Sequence, residues 1–186
     1  MDDIIMDEQL IEKVVDEESI YEGKIVHLHL MRVTLPSGKP GIREIVRHVN
    51  ASAVVAVDEN NNVLLVRQFR APMGRVTCEI PAGKLDSPQE DPLEAARREL
   101  SEETGYQAEH WVKLTDMISS PGFCDEVISI FLATGLTRGE AHPDDDEFLG
   151  LVRMPFDEAI ARAQAGEFQD SKTLCGLLLA QSKLEG

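Results

Sequence analysis

Alternation of apolar and polar positions divides the chain into many short extended runs and three helical ones. Residues 24–34, KIVHLHLMRVT, repeat with the period of two expected of a half-buried strand. Pro36-Ser37-Gly38-Lys39-Pro40-Gly41 carries turn chemistry, so 42–49 is expected to return as a second strand. SAVVAVD (52–58) and VLLVRQF (63–69) are β-branched runs around Asp58-Glu59-Asn60-Asn61-Asn62, which predicts another hairpin. A short strand over 76–80 delivers the chain to Pro81-Ala82-Gly83, and 111–118, 126–135 and 148–154 are read as the remaining strands. The acidic start, 1–18, is read as a short helix or a loose arm.

Helices are expected over 92–104, 156–165 and 171–183. The first has the clearest ends. Asp91 is a good N-cap, Pro92 suits the first helical position, and Gly105 suits a left-handed stop. No internal repeat or low-complexity linker breaks the chain. Strands in the majority with helices between them predict an α/β (α+β) fold, a mixed sheet covered on both faces. Residues 1–50 are expected to form an N-terminal arm and hairpin region, and 51–186 the main domain.

Composition narrows the function more than the fold. With 186 residues, 42% hydrophobic and 28% charged, the chain suits a soluble globular protein with a sizeable core. The net charge of -16 argues against binding a nucleic-acid backbone, which needs basic stripes. Anionic small substrates remain compatible if local arginines or metal ions offset that charge. Cys78, Cys124 and Cys175 are widely spaced and form no CxxC pair, which suits reduced thiols and a cytoplasmic location. The first residues lack the basic start of a secretory signal. No apolar run approaches the roughly 20 residues of a membrane span.

The chemistry concentrates at the end of the helix over 92–104. Leu93, Ala96 and Leu100 fall at helical spacing and predict the face packed on the sheet. Glu99 and Glu103 are four apart on one stripe, with Glu102 beside them. Carboxylates at the carboxyl end oppose the helix dipole and repel one another, and a hard divalent cation would reverse that sign. The plainer alternative is a solvated acidic face laced by Glu94–Arg98 and Arg98–Glu102 pairs.

The order of residues around this helix resembles the Nudix hydrolase signature, Gly-x5-Glu-x7-Arg-Glu-U-x-Glu-Glu-x-Gly-U, with U a bulky apolar residue. The nine positions from Arg98 to Tyr106 match in a row. Counting back from Arg98 places Glu90 at the first glutamate, whereas counting forward from Gly83 places Gln89 there, since six residues separate Gly83 from Glu90. A one-residue insertion around 86–89 accounts for the difference, and Glu90 is expected to pair with Arg98. The resemblance implies a Nudix-type α/β/α sandwich. It also implies a Mg²⁺ site, with Mn²⁺ as a substitute, built from Glu99, Glu102, Glu103 and the Ala82 carbonyl.

Beyond the signature, 20–180 is similar to the ADP-ribose pyrophosphatase branch. The resemblance rests on Val66-Arg67-Gln68-Phe69-Arg70, Glu79-Ile80-Pro81-Ala82-Gly83-Lys84, Ser120-Pro121-Gly122-Phe123 and Asp170-Ser171-Lys172-Thr173. It implies hydrolysis of ADP-ribose or a related ADP-sugar to AMP and a sugar phosphate, by a homodimer. Arg70 offers a planar fork for a diphosphate, or else a surface ion pair. Arg43 and Glu44 fall where the branch contacts adenine, and Glu126 is placed at the terminal ribose or a metal-bound water. The general base is expected on the acidic loop, as Glu147 or Asp145. Tyr21 and His29 are base-stacking or packing residues, Trp111 is core, and His27 and His29 share a strand face with no partner carboxylate placed.

Two other readings remain open at this point. One is a Nudix enzyme for GDP-mannose or a nucleoside triphosphate, and the other is a module that senses nucleotides without cleaving them.

Overall fold

The computed structural model describes residues 7–139 and 148–184. The chain divides into two compact units. One comprises Met1–His48 with Ser120–Glu126, and the other Val49–Ser119 with Val127–Gly186.

The first unit holds a three-stranded antiparallel sheet in the order β1 (Lys13–Glu22), β2 (His27–Thr34), β3 (Pro40–Arg47). The predicted hairpin 24–34/42–49 is β2–β3, closed by Leu35 N–H bonding Lys39 O and by Gly38 at φ 80°. Within the acidic start, Asp7–Gln9 form a single 3-10 turn, as a short helix there requires, but residues 13–18 depart from the expectation of a helix or loose arm and open β1. Its run Val14, Val15, Ile20 and Tyr21 carries β-propensity that the interleaved acidic residues mask. Those acids are matched across the strand pair. Arg32 on β2 bonds Asp16 and Glu18, and Arg47 on β3 bonds Glu17. The segment 120–126 joins this unit through Val46 N–H to Phe123 O (2.7 Å) and Arg47 to Asp125.

The second unit is built on a seven-stranded mixed sheet. Its path runs β10 (Gly150–Pro155), β5 (Asn62–Arg70), β4 (Ala51–Val57), β9 (Val127–Arg138), β8 (Tyr106–Ile118). Two short strands branch from it, β6 (Arg75–Glu79) on β5 and β7 (Ala82–Lys84) on β4. The β4–β9 pair is parallel and the other pairs are antiparallel. Every residue of β4 is buried, as a strand covered on both faces must be.

The helices supply that cover. Val54 and Ala56 project into one cluster with Ala96 and Leu100 of α1 (Pro92–Thr104). Ala53, Val55 and Val57 project into the other, with Phe156 and Ile160 of α2 (Phe156–Gln164) and Leu177 and Ala180 of α3 (Ser171–Leu184). The α/β/α sandwich read from the sequence is therefore observed. Leu100 is fully buried, and burial of such a side chain contributes about 2 kcal/mol. Ser52, also buried, is tolerated because its hydroxyl donates to Pro92 O at 2.7 Å. Trp111 lies at the rim of this core, its Nε1–H donating to Ala108 O and its ring edge-on to Phe131. No described helix is long and apolar enough to cross a membrane.

Candidate active site

The site is assembled where α1 ends over β7. The helix starts and stops as its caps dictate: Asp91 Oδ1 accepts the Leu93 N–H at 2.8 Å, and Gly105 at φ 71° returns its N–H to Ser101 O. With Ala96 and Leu100 anchored in the sheet, the same helix turns Glu99 and Glu103 inward. Both are buried, at 8% and 7% exposure. Burying a carboxylate is costly unless it is paired. Glu103 Oε2 accepts the Ala82 N–H at 3.1 Å. Glu99 Oε1 accepts from Arg98 Nη1 at 2.7 Å, and Glu102 Oε2 accepts from the same nitrogen at 3.1 Å.

Gly83 explains how the carboxylate of Glu99 is accommodated. A Cβ at position 83 would stand 2.1 Å from Glu99 Oε1 and 2.4 Å from Oε2. The missing side chain is thus the space the carboxylate occupies. β7 is held in place by β4, with Ser52 opposite Gly83 and Ala53 opposite Ala82.

Arg98 organises the outer side of the cluster. It donates to Lys84 O at 3.0 Å and lies 3.5 Å from both oxygens of Glu90 and 3.4 Å from Asp86. It is Glu90, therefore, that meets Arg98, and the extra residue is absorbed where Asp86 N–H bonds back to Glu90 Oε2. Partial burial would lower the Arg98 pKa, but Glu99 and Glu90 outweigh it and raise it. The expected Glu94–Arg98 pair is replaced by Glu94 with Arg97, one position earlier on the helix surface.

Arg70 is the second feature of the unit. Its Nε and Nη2 donate to the two oxygens of Glu79 at 2.9 and 2.8 Å, across the β5–β6 pair. The fork anticipated for a diphosphate is thus engaged by an internal carboxylate, while 40% of the Arg70 side chain stays exposed. Glu79 is 3% exposed and also accepts from Lys172 Nζ and Thr77 Oγ1, both at 2.5 Å. Burial alone would raise its pKa. The Arg70 fork, Lys172 and Thr77 overcome that and bring it down to about 2.

Sequence reasoning assigns Glu79 and Lys172 no role beyond the motifs that contain them. The available signal was local for Glu79 alone, a charge set between Cys78 and Ile80; Lys172 stands between Ser171 and Thr173, and no apolar neighbour marks it.

Of the other anticipated residues, Arg43, Glu44 and Glu126 belong to the first unit. Arg43 and Glu44 are neighbours on β3, so their side chains leave opposite faces of the strand. Arg43 pairs with Glu12 and bonds Ile42 O. Glu126 lies 3.4 Å from His48 Nδ1 in the same unit. Asp145 and Glu147 lie outside the described residues.

The carboxylate partners of His27 and His29, which the sequence left unplaced, are found in the structure. His27 Nδ1 is 2.5 Å from Glu22 and His29 Nδ1 is 3.0 Å from Glu17. Both partners come from β1, which the sequence pattern did not reveal as a strand. Tyr21 on the same strand is exposed.

The donor set at the helix end is all oxygen, which suits a hard divalent cation that keeps much of its water shell. Among the described residues no three His, Cys, Asp or Glu groups already form a closed metal cage. The buried pair Glu99 and Glu103, with the backbone of Ala82 and Gly83 beside them, is nevertheless a cradle of the right chemistry.

This sandwich, with its glutamate-bearing helix set over a glycine strand, is that of a nucleotide-diphosphate hydrolase class, and the chain belongs to the NUDIX domain family, whose model matches residues 46–175. Enzymes of this family generally use a divalent metal. The ADP-ribose pyrophosphatase of Bacillus subtilis (strain 168) is 40% identical over 174 residues, covering 92% of this chain and 94% of its own. The ADP-ribose pyrophosphatase of Mycobacterium tuberculosis (strain ATCC 25618 / H37Rv) is 38% identical, covering 94% of this chain and 85% of its own. A protein of Bacillus methanolicus named methanol dehydrogenase activator is 42% identical, with 91% of this chain and 92% of its own covered. A solved ADP compounds hydrolase shares the fold with a TM-score of 0.82 at 23% identity, over 94% of this chain and 95% of that chain.

Proposed function

We propose that this chain is a Mg²⁺-dependent pyrophosphatase that splits ADP-ribose, or a related ADP-sugar, into AMP and a sugar phosphate. The observation that carries the reading is the buried pair Glu99 and Glu103, seated against Gly83 and the Ala82 amide at the end of α1. The similarity to two ADP-ribose pyrophosphatases over nearly the whole chain supports the substrate class.

In this reading Glu99, Glu102, Glu103 and the Ala82 carbonyl hold the metal. Bound there, Mg²⁺ supplies charge neutralisation at the diphosphate and a more acidic water. Arg98 holds Glu99 and Glu102 in register, and Glu90 restrains Arg98. Arg70 binds the diphosphate with the part of its guanidinium outside the Glu79 fork. Arg43 and Glu44 take the adenine end and Glu126 the ribose end or a bound water. Glu147 or Asp145 removes the proton from the attacking water. Mn²⁺ replaces Mg²⁺.

Residues 1–50 are assigned as the dimer-forming region and 51–186 as the hydrolase domain. The exposed apolar run Val14, Val15, Ile20 and Tyr21 on β1 supports a homodimer. The free thiols Cys78, Cys124 and Cys175 support a cytoplasmic protein.

The test is incubation with ADP-ribose and Mg²⁺, with products identified by mass. AMP and ribose 5-phosphate are expected, and chelation of the metal stops their release. ADP-ribose left intact while GDP-mannose or a nucleoside triphosphate is consumed would move the assignment within the family. GDP-mannose has a specific point in its favour: a GDP-mannose pyrophosphatase of Yersinia enterocolitica is 36% identical over 150 residues, 75% of this chain.

A further inference from the structure

Glu79 carries four donors on its two oxygens. Oε1 accepts from Arg70 Nε and Thr77 Oγ1, and Oε2 from Arg70 Nη2 and Lys172 Nζ. Lys172, itself 8% exposed, also bonds Asp170 Oδ1 at 3.0 Å. Asp170 in turn caps α3, its Oδ2 accepting from Thr173 N–H and Oγ1, while Thr173 Oγ1 accepts the Ile80 N–H at 2.9 Å. Two cations and two carboxylates thus alternate along Arg70, Glu79, Lys172 and Asp170, and their charges cancel. A buried ion set of this kind adds little net stability compared with apolar packing. What it does provide is a fixed guanidinium plane, because a bidentate fork allows one orientation.

The location matters as much as the geometry. Glu79 is the last residue of β6, and Ile80-Pro81 connect it directly to Ala82 and Gly83 of β7. The charge of Glu103 also acts on Arg70, together with that of Asp170. The fixed guanidinium therefore stands within electrostatic range of the glutamate cradle.

We propose that Glu79 is a positioning residue for substrate binding: held by Lys172 and Thr77, it aims the exposed part of Arg70 at the diphosphate. This rests on the reading of the chain as a diphosphate-cleaving enzyme. Glu79 does not touch substrate and acts through Arg70. Lys172 is required because, among the described residues, it is the only donor besides Arg70 on Oε2, Thr77 bonding Oε1 alone.

Three variants separate positioning from simple support of the fold: Glu79→Gln, Lys172→Met, and the two combined. Each single change leaves a buried charge short of a partner, so thermal stability falls. The double change removes both charges, and stability recovers toward wild type. The KM for ADP-ribose is expected to rise about 10–100-fold in Glu79→Gln and to stay raised in the double variant, with kcat and the metal activation constant changed far less. Inorganic pyrophosphate, titrated by calorimetry, is expected to bind more weakly in the same variants. Recovery of KM together with stability in the double variant would overturn the proposal, as would unchanged KM and unchanged pyrophosphate affinity in Glu79→Gln. A wild-type protein that leaves ADP-ribose intact would instead sink the functional reading, and the pyrophosphate titration still decides whether Glu79 aims Arg70.

Discussion

Glu103 and Ala82 are joined by a hydrogen bond of 3.1 Å from the Ala82 N–H to Oε2, which ties the last turn of α1 to the first residue of β7. The bond fixes the carboxylate beside the Ala82–Gly83 backbone and leaves its second oxygen, Oε1, out of this contact.

Replacing Glu103 by Gln keeps an oxygen able to accept the Ala82 N–H and removes the charge. Turnover is expected to fall on the order of 10³-fold, with the urea midpoint nearly unchanged. Glu102→Gln, at a more exposed position, is expected to cost less. Activity close to wild type in Glu103→Gln would remove Glu103 from the metal set.

Gly83→Ala tests the cradle from its other side. The added methyl would stand 2.1 Å from Glu99 Oε1, so the carboxylate must leave its place. Activity is expected to drop about 10–100-fold through the displaced group. The metal concentration giving half activity should rise with it. An unchanged metal dependence would show that the carboxylate position does not matter.

The pH dependence of stability follows from Glu79. Its folded pKa of about 2 lies below the ordinary value of 4.5. The unfolded chain therefore binds the proton more readily, and the stabilisation is fully present above about pH 4.5. It is lost as pH falls from there through the folded value, and it amounts to about 3 kcal/mol. Urea unfolding measured across this window should show a shallower acid decline in Glu79→Gln than in wild type. Parallel curves would contradict the assignment.

Asp91→Ala removes the oxygen that accepts the Leu93 N–H. Helix α1 should lose about 1 kcal/mol of support, read as a lower urea midpoint. Because α1 carries Glu99 and Glu103, hydrogen exchange at its first turn should speed up before any change at the sheet.

Several parts of this structure were legible because they depend on near neighbours in sequence. Helix α1 runs over the expected span, since a capping aspartate, a proline at the first position and a left-handed glycine are local signals. The stacking of Glu99 on Glu103 follows from helical geometry. The hairpin at Asp58–Asn62 follows from its turn residues. β1 was hidden because its acids look like a solvated arm until Arg32 and Arg47 are placed opposite them. For the same reason His27 and His29 looked unpartnered.

The sequence by itself determined which side chains share the carboxyl end of α1, because four residues make about one helical turn. It also determined that both faces of the central strand are apolar. Only the tertiary structure decided that Glu99 occupies the space of a missing side chain at Gly83, and that Arg70 is held by Glu79 and, through it, by Lys172. Those partners are separated by 16, 9 and 93 positions, and no local periodicity links residues that meet only when strands and helices pack.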